Sequence, residues 1–388
     1  MRHPINLEKR LEIRKEENSF RTLQNLKGLR DFSSNDYLGF SNNQHISELS
    51  LTVLQENGLS GYNGASGSRL LTGNHQLYSM AEDYIKEFHG SEAALIYNSG
   101  YDANIGFFSS VPQRGDIILY DELVHASIRE GIRLSHARAF KFKHNDLQDL
   151  DSLLLKYNSK QDNLDQRYIY VVTESVFSMD GDTALLEGLT NITDIQGAYL
   201  IVDEAHATGV FGKKGQGLVQ HLDLQKRVFA RIITFGKAMG AHGAVITGSK
   251  LLGDYLINFS RSFIYTTALP PHSVATILAS YMVLNREFPC RDLIELRSNI
   301  DLFKSQLELL GISSKFIESD SAIQCCVIPG NGVVKQVAAQ LQEKGFDVKP
   351  ILSPTVPPGK ERIRICLHSF NTQNDIVALV EQLAIFIK

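Results

Sequence analysis

The sequence has no apolar run that approaches the ~18 residues of a membrane-spanning helix, so no span is expected. It is poor in cysteine. Cys290, Cys325, Cys326 and Cys366 lack CxxC spacing and the density of a disulfide scaffold, and no metal site is expected. An excess of positive charge is also missing. Lys and Arg total 39 against 43 Asp and Glu, a formal net charge of −4, which argues against a protein built to hold nucleic acid or an anionic membrane. The N-terminal stretch has no apolar leader and carries Glu8, Glu12, Glu16 and Glu17, unlike a secretory signal or a mitochondrial transit peptide. Repeats and low-complexity tracts are absent too. A cytoplasmic enzyme is the expectation.

What is present is ample material for a core: 388 residues, of which 43% are hydrophobic. Residues 6–20 place Leu7, Leu11 and Ile13 among charges, which predicts a short amphipathic helix. Leu77, Met80, Ala81, Tyr84, Ile85 and Phe88 recur at helical spacing, and Gly90 can stop that helix. Short apolar runs follow at 93–97, 116–120, 168–172, 198–202, 231–235 and 244–247. Continuous rather than alternating apolarity means strands covered on both faces. The fold class is therefore α/β, with a mostly parallel central sheet flanked by helices. After Pro270-Pro271 a long apolar helix is predicted near 273–286, followed by mixed helix and strand signals. The expected division is an N-terminal helix and arm over 1–45, a large α/β domain over 46–275, and a smaller α+β domain over 276–388.

Three strand ends carry polar residues of unusual kinds. One runs from Thr173 and Glu174 to Ser178 and Asp182, the second from Asp203 through His206 to Gly209, and the third is Thr234-Phe235-Gly236-Lys237-Ala238-Met239-Gly240. In an open parallel sheet, ligands bind beyond the carboxyl ends of the strands. Any one of these segments alone would read as a cap or surface turn; three in succession favour a site. Lys237 follows a core strand between Gly236 and the small Ala238, which lets a planar ligand approach the backbone. Desolvation at such a place favours the neutral amine that a Schiff base needs. Ser99-Gly100-Tyr101 opens a helical stretch at 102–110, where free N–H groups and the helix dipole suit a phosphate dianion, although a plain helix cap explains the same residues.

In these segments the chain resembles the α-oxoamine synthase family of fold-type-I pyridoxal-phosphate enzymes. The resemblance runs from about Ser33 to Ser369. It is carried by 33–39 (SSNDYLG), 64–69 (GASGSR), 121–127 (DELVHAS), 174–182, 203–206 (DEAH), 234–237 (TFGK), 265–271 (YTTALPP) and 362–364 (RIR). His242 departs from the pattern, where a small residue is expected.

The resemblance implies pyridoxal 5'-phosphate as cofactor, with Lys237 as its covalent anchor and Asp203 as the acid that keeps the pyridine nitrogen protonated. It implies that His206 lies near the phenolic oxygen, that His125 stacks on the ring face, and that Ser178 is a hydroxyl partner of the ring. The phosphate falls to Gly100, Tyr101 and Thr234, with Thr266 supplied by the neighbouring subunit, so the expected enzyme is a homodimer with shared active sites. Glu174 matches an acid of the family motif in the same segment, a place that a purely structural role also explains. Among substrate groups, Arg364 resembles the arginine that holds the amino-acid carboxylate, with Arg362 on the same strand face as its rival. Asn35 is implied to orient that carboxylate, and Arg21 to face the distal end of an acyl chain. The implied reaction joins L-alanine to a pimeloyl thioester, carried on coenzyme A or a carrier protein, with loss of carbon dioxide, a step of biotin synthesis. Glycine-plus-acetyl, serine-plus-palmitoyl and aminotransferase chemistries are the alternatives.

Overall fold

The computed structural model describes residues 3–23, 28–158, 167–286 and 290–387. They divide into two units. The larger comprises Asn35–Ser178 and Thr183–Ile294; the smaller comprises Met1–Ser34, Met179–Asp182 and Glu295–Lys388. In chain order the strands are β1 (Arg30–Asp31), β2 (Ala93–Tyr97), β3 (Ile117–Asp121), β4 (Arg138–Phe142), β5 (Ile169–Glu174) and β6 (Tyr199–Asp203). They continue as β7 (Ala230–Thr234), β8 (Ala244–Gly248), β9 (Ile323–Val327), β10 (Phe346–Asp347), β11 (Lys349–Ile351) and β12 (Arg362–Cys366).

The larger unit holds a seven-stranded sheet in the order β2-β8-β7-β6-β5-β3-β4. β4, β3, β5, β6 and β7 pair in parallel, and only β8 runs against both of its neighbours. The class expected from the apolar runs, α/β with a mostly parallel sheet, is the one found. The central strands are buried along their length, all six residues of β5 included, which is why their sequences are continuously apolar. β4 had no such signal. It is the edge strand, with Arg138 and Lys141 exposed, and an edge needs only one covered face.

Helices follow their local signals. Gln76–Phe88 buries Leu77, Tyr78, Ala81, Ile85 and Phe88 on one face. Gly90 stops it at φ +61°, where Gly90 N–H reaches the Glu87 carbonyl and Ser91 N–H the Lys86 carbonyl. Pro271 opens Pro271–Arg286, whose Val274, Ile277, Leu278 and Tyr281 are buried. The N-terminal helix is shorter than its charge pattern predicts. It covers Ile5–Glu16, Asn18 turns left-handed at φ +54°, and none of its side chains is buried. Among the described residues no helix is long and apolar enough to cross a membrane.

In the smaller unit, β11, β12 and β9 form an antiparallel sheet and β1 pairs with β10. Its core includes Cys325, Cys326, Ile363, Ile365 and Cys366. Met179–Asp182 is tied into this unit. Arg362 forms an ion pair with Asp180 and donates to the Met179 carbonyl at 3.1 Å, and Ser319 Oγ donates to the Gly181 carbonyl at 2.8 Å.

The loop between β7 and β8 is closed by Gly240, whose N–H donates to the Lys237 carbonyl at 2.9 Å. Gly240 has φ +60°, and a Cβ there would lie 2.3 Å from the backbone of Phe40 and Ser41. Gly236, by contrast, has nothing closer than 3.8 Å to such an atom. Gly240→Ala is therefore expected to destabilise the fold by about 3 kcal/mol, from backbone strain plus overlap. Gly236→Ala should stay within about 0.5 kcal/mol of wild type. Urea midpoints measure both, and equal midpoints for the two variants would contradict this account of the loop.

Candidate active site

Parallel pairing aligns the carboxyl ends of the central strands, and each ends in a polar residue: Asp121 on β3, Glu174 on β5, Asp203 on β6 and Thr234 on β7. The register of β8 sets Ala244 opposite both Thr234 and Tyr97. The loop carrying Lys237 and the turn at Ser99 thus emerge at the same sheet edge. A cavity of about 230 Å³ opens there, lined by Gly100, Tyr101, His125, Asp203, His206, Thr234 and Lys237. Asn104, Ser127, Glu174, Ala205 and Ile232 complete its wall.

Asp203 is 6% exposed, and both of its oxygens are held: Oδ1 accepts the Ala205 N–H at 2.9 Å and Oδ2 the Asn104 Nδ2 at 3.0 Å. His206 Nδ1 lies 2.7 Å from the Tyr37 hydroxyl, which itself donates to Asn35 Oδ1 at 3.2 Å. Glu174 Oε1 accepts the His125 N–H. Burial, reinforced by the neighbouring Asp203 charge, holds the Glu174 carboxyl well above the usual carboxylate range. Strand alternation sends Glu204 to the opposite face from Asp203. There it meets Arg231 at 3.5 Å and accepts the Val219 N–H at 2.9 Å, a buried pair behind the cavity.

At the other end of the cavity, helix Gly100–Ser110 begins. Ser99 caps it, its Oγ accepting the Asp102 N–H at 3.1 Å. The first N–H groups of a helix have no acceptor within it, so those of Gly100 and Tyr101 remain for a ligand. A Cβ on Gly100 would sit 3.4 Å from both Cβ and Oγ1 of Thr234, so the glycine keeps this end open.

This donor set fits pyridoxal 5'-phosphate. The cavity offers an amine in Lys237, a buried carboxylate in Asp203 for a ring nitrogen, and amide and hydroxyl donors for a phosphate. Asn104 Oδ1, buried in the wall without a hydrogen-bond partner, marks a polar surface made for a polar occupant.

Not every residue singled out from the sequence lines this cavity. Ser178, Asn35 and Thr266 belong to the same unit but are not in its lining. Thr266 is half-buried, and its Oγ1 accepts Asn98 Nδ2 at 3.0 Å. Arg21 and Arg364 belong to the smaller unit, Arg21 exposed and Arg364 buried with Nη1 3.0 Å from Cys366 Sγ. Arg362 is engaged by Asp180, by the Met179 carbonyl and by the Lys360 carbonyl at 2.9 Å. His242 is exposed, and nothing in the structure explains its place in the loop. Sequence reasoning missed Asn104 and Ser127. The available signal was an asparagine amid Ala103, Ile105, Phe107 and Phe108, an amide in a helix face that is otherwise apolar.

Comparison with known proteins shows the family. Residues 27–383 match the family model described as aminotransferase class I and II. The 8-amino-7-oxononanoate synthase of Emericella nidulans is 41% identical over 367 residues, covering 92% of this chain and 89% of the relative. A putative 8-amino-7-oxononanoate synthase of Geobacillus kaustophilus is 39% identical over 379 residues, covering 97% and 94%. Among solved structures, the serine palmitoyltransferase of Sphingomonas wittichii matches with a TM-score of 0.83 at 27% identity, covering 92% of this chain and 87% of that one. The 8-amino-7-oxononanoate synthase of Francisella tularensis matches at 0.75 and 28%, covering 92% and 97%. The chain belongs to the aminotransferase class I and II family and is, within it, a pyridoxal-phosphate-dependent acyltransferase of the α-oxoamine synthase type.

Proposed function

We propose that the enzyme condenses L-alanine with a pimeloyl thioester, releasing carbon dioxide and a free thiol, to give 8-amino-7-oxononanoate for biotin synthesis. One observation carries the reading: Lys237, Asp203 and His125 share one cavity in a chain whose curated relatives bear that name over nine-tenths of its length. When bound, pyridoxal phosphate supplies the electron sink for the pair released at the amino-acid Cα. Lys237 holds the cofactor covalently and then takes the Cα proton on Nζ. Asp203 keeps the ring nitrogen protonated, and His206 and Ser178 hold the ring oxygen. Gly100, Tyr101 and Thr234 bind the phosphate through N–H and hydroxyl groups.

His125 donates a hydrogen bond to the thioester carbonyl oxygen as negative charge grows there. The Cα–C bond to the acyl carbon forms, the C–S bond breaks, and the thiol leaves. The carboxylate then departs as carbon dioxide and Cα regains a proton. Arg364 is assigned the amino-acid carboxylate, with Arg362, paired with Asp180, as its rival. Asn35 assists in orienting it, and Arg21 is assigned the far end of the acyl chain. A homodimer in which Thr266 serves the partner's phosphate, and a cytoplasmic location, belong to the same proposal.

The test is a panel of alanine, glycine and serine against short-chain, pimeloyl and long-chain thioesters, on coenzyme A and on carrier protein, followed by thiol release. Alanine with the pimeloyl thioester should give the highest kcat/KM. Glycine should lose about tenfold, the usual worth of one methyl group in a pocket. A preference for serine with a long acyl chain would replace this reading by the palmitoyl one. Amino-group transfer without thiol release would replace it by an aminotransferase.

A further inference from the structure

Two side chains in the cavity wall, Asn104 and Ser127, have no part in the reaction as written, yet they are 2% and 1% exposed. An amide buried among phenylalanines is costly unless its hydrogens are used. Asn104 Nδ2 uses both, donating to Asp203 Oδ2 at 3.0 Å and to Ser127 Oγ at 3.0 Å. Ser127 Oγ in turn lies 2.7 Å from His125 Nδ1, and the Ser127 N–H points at the same ring nitrogen at 3.2 Å. A ring nitrogen that accepts an N–H carries no proton of its own. The Ser127 hydroxyl therefore donates to Nδ1, and the proton of the neutral ring sits on Nε2. Burial holds His125 below the ordinary imidazole range, with Lys237 and Arg129 adding to it and the Asp203 charge opposing.

We propose that Asn104 and Ser127 are positioning residues that tie the Asp203 carboxylate to His125 and hold its imidazole as the Nε2–H tautomer, the donor left for the cavity. The consequence for catalysis rests on the reading of His125 as the group that meets the thioester oxygen. The same two contacts also restrict Asp203: with Oδ1 on Ala205 and Oδ2 on Asn104, its carboxylate cannot rotate away from the site.

The test uses cofactor-loaded enzyme labelled with ¹⁵N-histidine, and reads the His125 tautomer by long-range ¹H–¹⁵N correlation, with His125→Asn to assign the signal. Wild type should show an unprotonated Nδ1 and a protonated Nε2. Ser127→Ala keeps the backbone N–H on Nδ1 but loses the hydroxyl, so the tautomer should persist while the Nδ1 resonance moves. Ser127→Ala and Asn104→Ala should lower kcat with thioester about tenfold, the scale of one lost oriented hydrogen bond. The amino-acid KM should move by less than about twofold, and Ser127→Thr should restore both the Nδ1 resonance and kcat. A protonated Nδ1 in wild type overturns the proposal, as does Ser127→Ala enzyme with a wild-type Nδ1 resonance and wild-type kcat. A moved Nδ1 resonance with unchanged thioester turnover would leave the relay standing and remove His125 from the thioester step.

Discussion

Lys237→Ala enzyme is expected to bind pyridoxal phosphate without covalent attachment and to lose about 10⁴-fold or more in turnover, since the proposed mechanism makes one amine both anchor and Cα base. The expectation comes from the loop between β7 and β8. Gly240 cannot accept a Cβ and closes onto the Lys237 carbonyl, so the lysine has a fixed place in the cavity wall. Borohydride reduction followed by peptide mapping should label wild type at Lys237 and leave the variant unlabelled. A label on any other lysine would undo every role assigned around this cavity. The same variant tests the shared site. Co-refolded with Thr266→Val protein, it should regain partial activity, because one site of each hybrid dimer would carry both native residues. If Thr266→Val enzyme alone binds cofactor as tightly as wild type, the exchange of Thr266 between subunits is wrong, while the chemistry of Lys237 is untouched.

Asp203→Asn is the second large effect, with an expected loss of about 10²-fold or more in kcat and little loss of fold. The new amide can still accept the Ala205 N–H with its oxygen. Its nitrogen then faces Asn104 Nδ2 where an acceptor stood, and donor meets donor. No carboxylate remains to hold the proton on the ring nitrogen. Glu174, the other acid in the wall, cannot take over, since burial pushes its carboxyl well above the usual carboxylate range and it is committed to the His125 N–H. Steady-state kinetics beside a urea titration separate chemistry from folding. A near-native rate would mean that another acid faces the ring.

How far the sequence alone carries is seen strand by strand. The runs at 93–97, 116–120, 168–172, 198–202, 231–235 and 244–247 became β2, β3, β5, β6, β7 and β8 within one or two residues at most ends. The reason is local: a strand covered on both faces must be apolar at every position. Gly90, Pro271 and the polar residues at the ends of β5, β6 and β7 were legible for the same reason. Lys237 and Asp203 were readable as candidates because each sits in a segment whose order along the chain already mirrors the order of the strands.

The rest depended on partners far apart in sequence. Arg362 and Arg364 are equivalent by strand period, and nothing local says that Arg362 meets Asp180, 182 residues away. Met179–Asp182 reads as part of the strand end before it, but its hydrogen bonds are made with residues 319, 325 and 362, so it joins the smaller unit. Asn104 reaches Ser127 and Asp203 across 23 and 99 residues, and no periodicity announces such a pairing. The sequence by itself determined six of the seven strands of the main sheet, which end of that sheet is polar, and which lysine stands there, because hydrophobic period and backbone sterics act over a few residues. Only the tertiary structure decided that Arg362 meets Asp180, which way the His125 ring carries its proton, and what restrains Asp203. A hydrogen bond between distant side chains exists only once the fold has brought its two ends within about 3 Å.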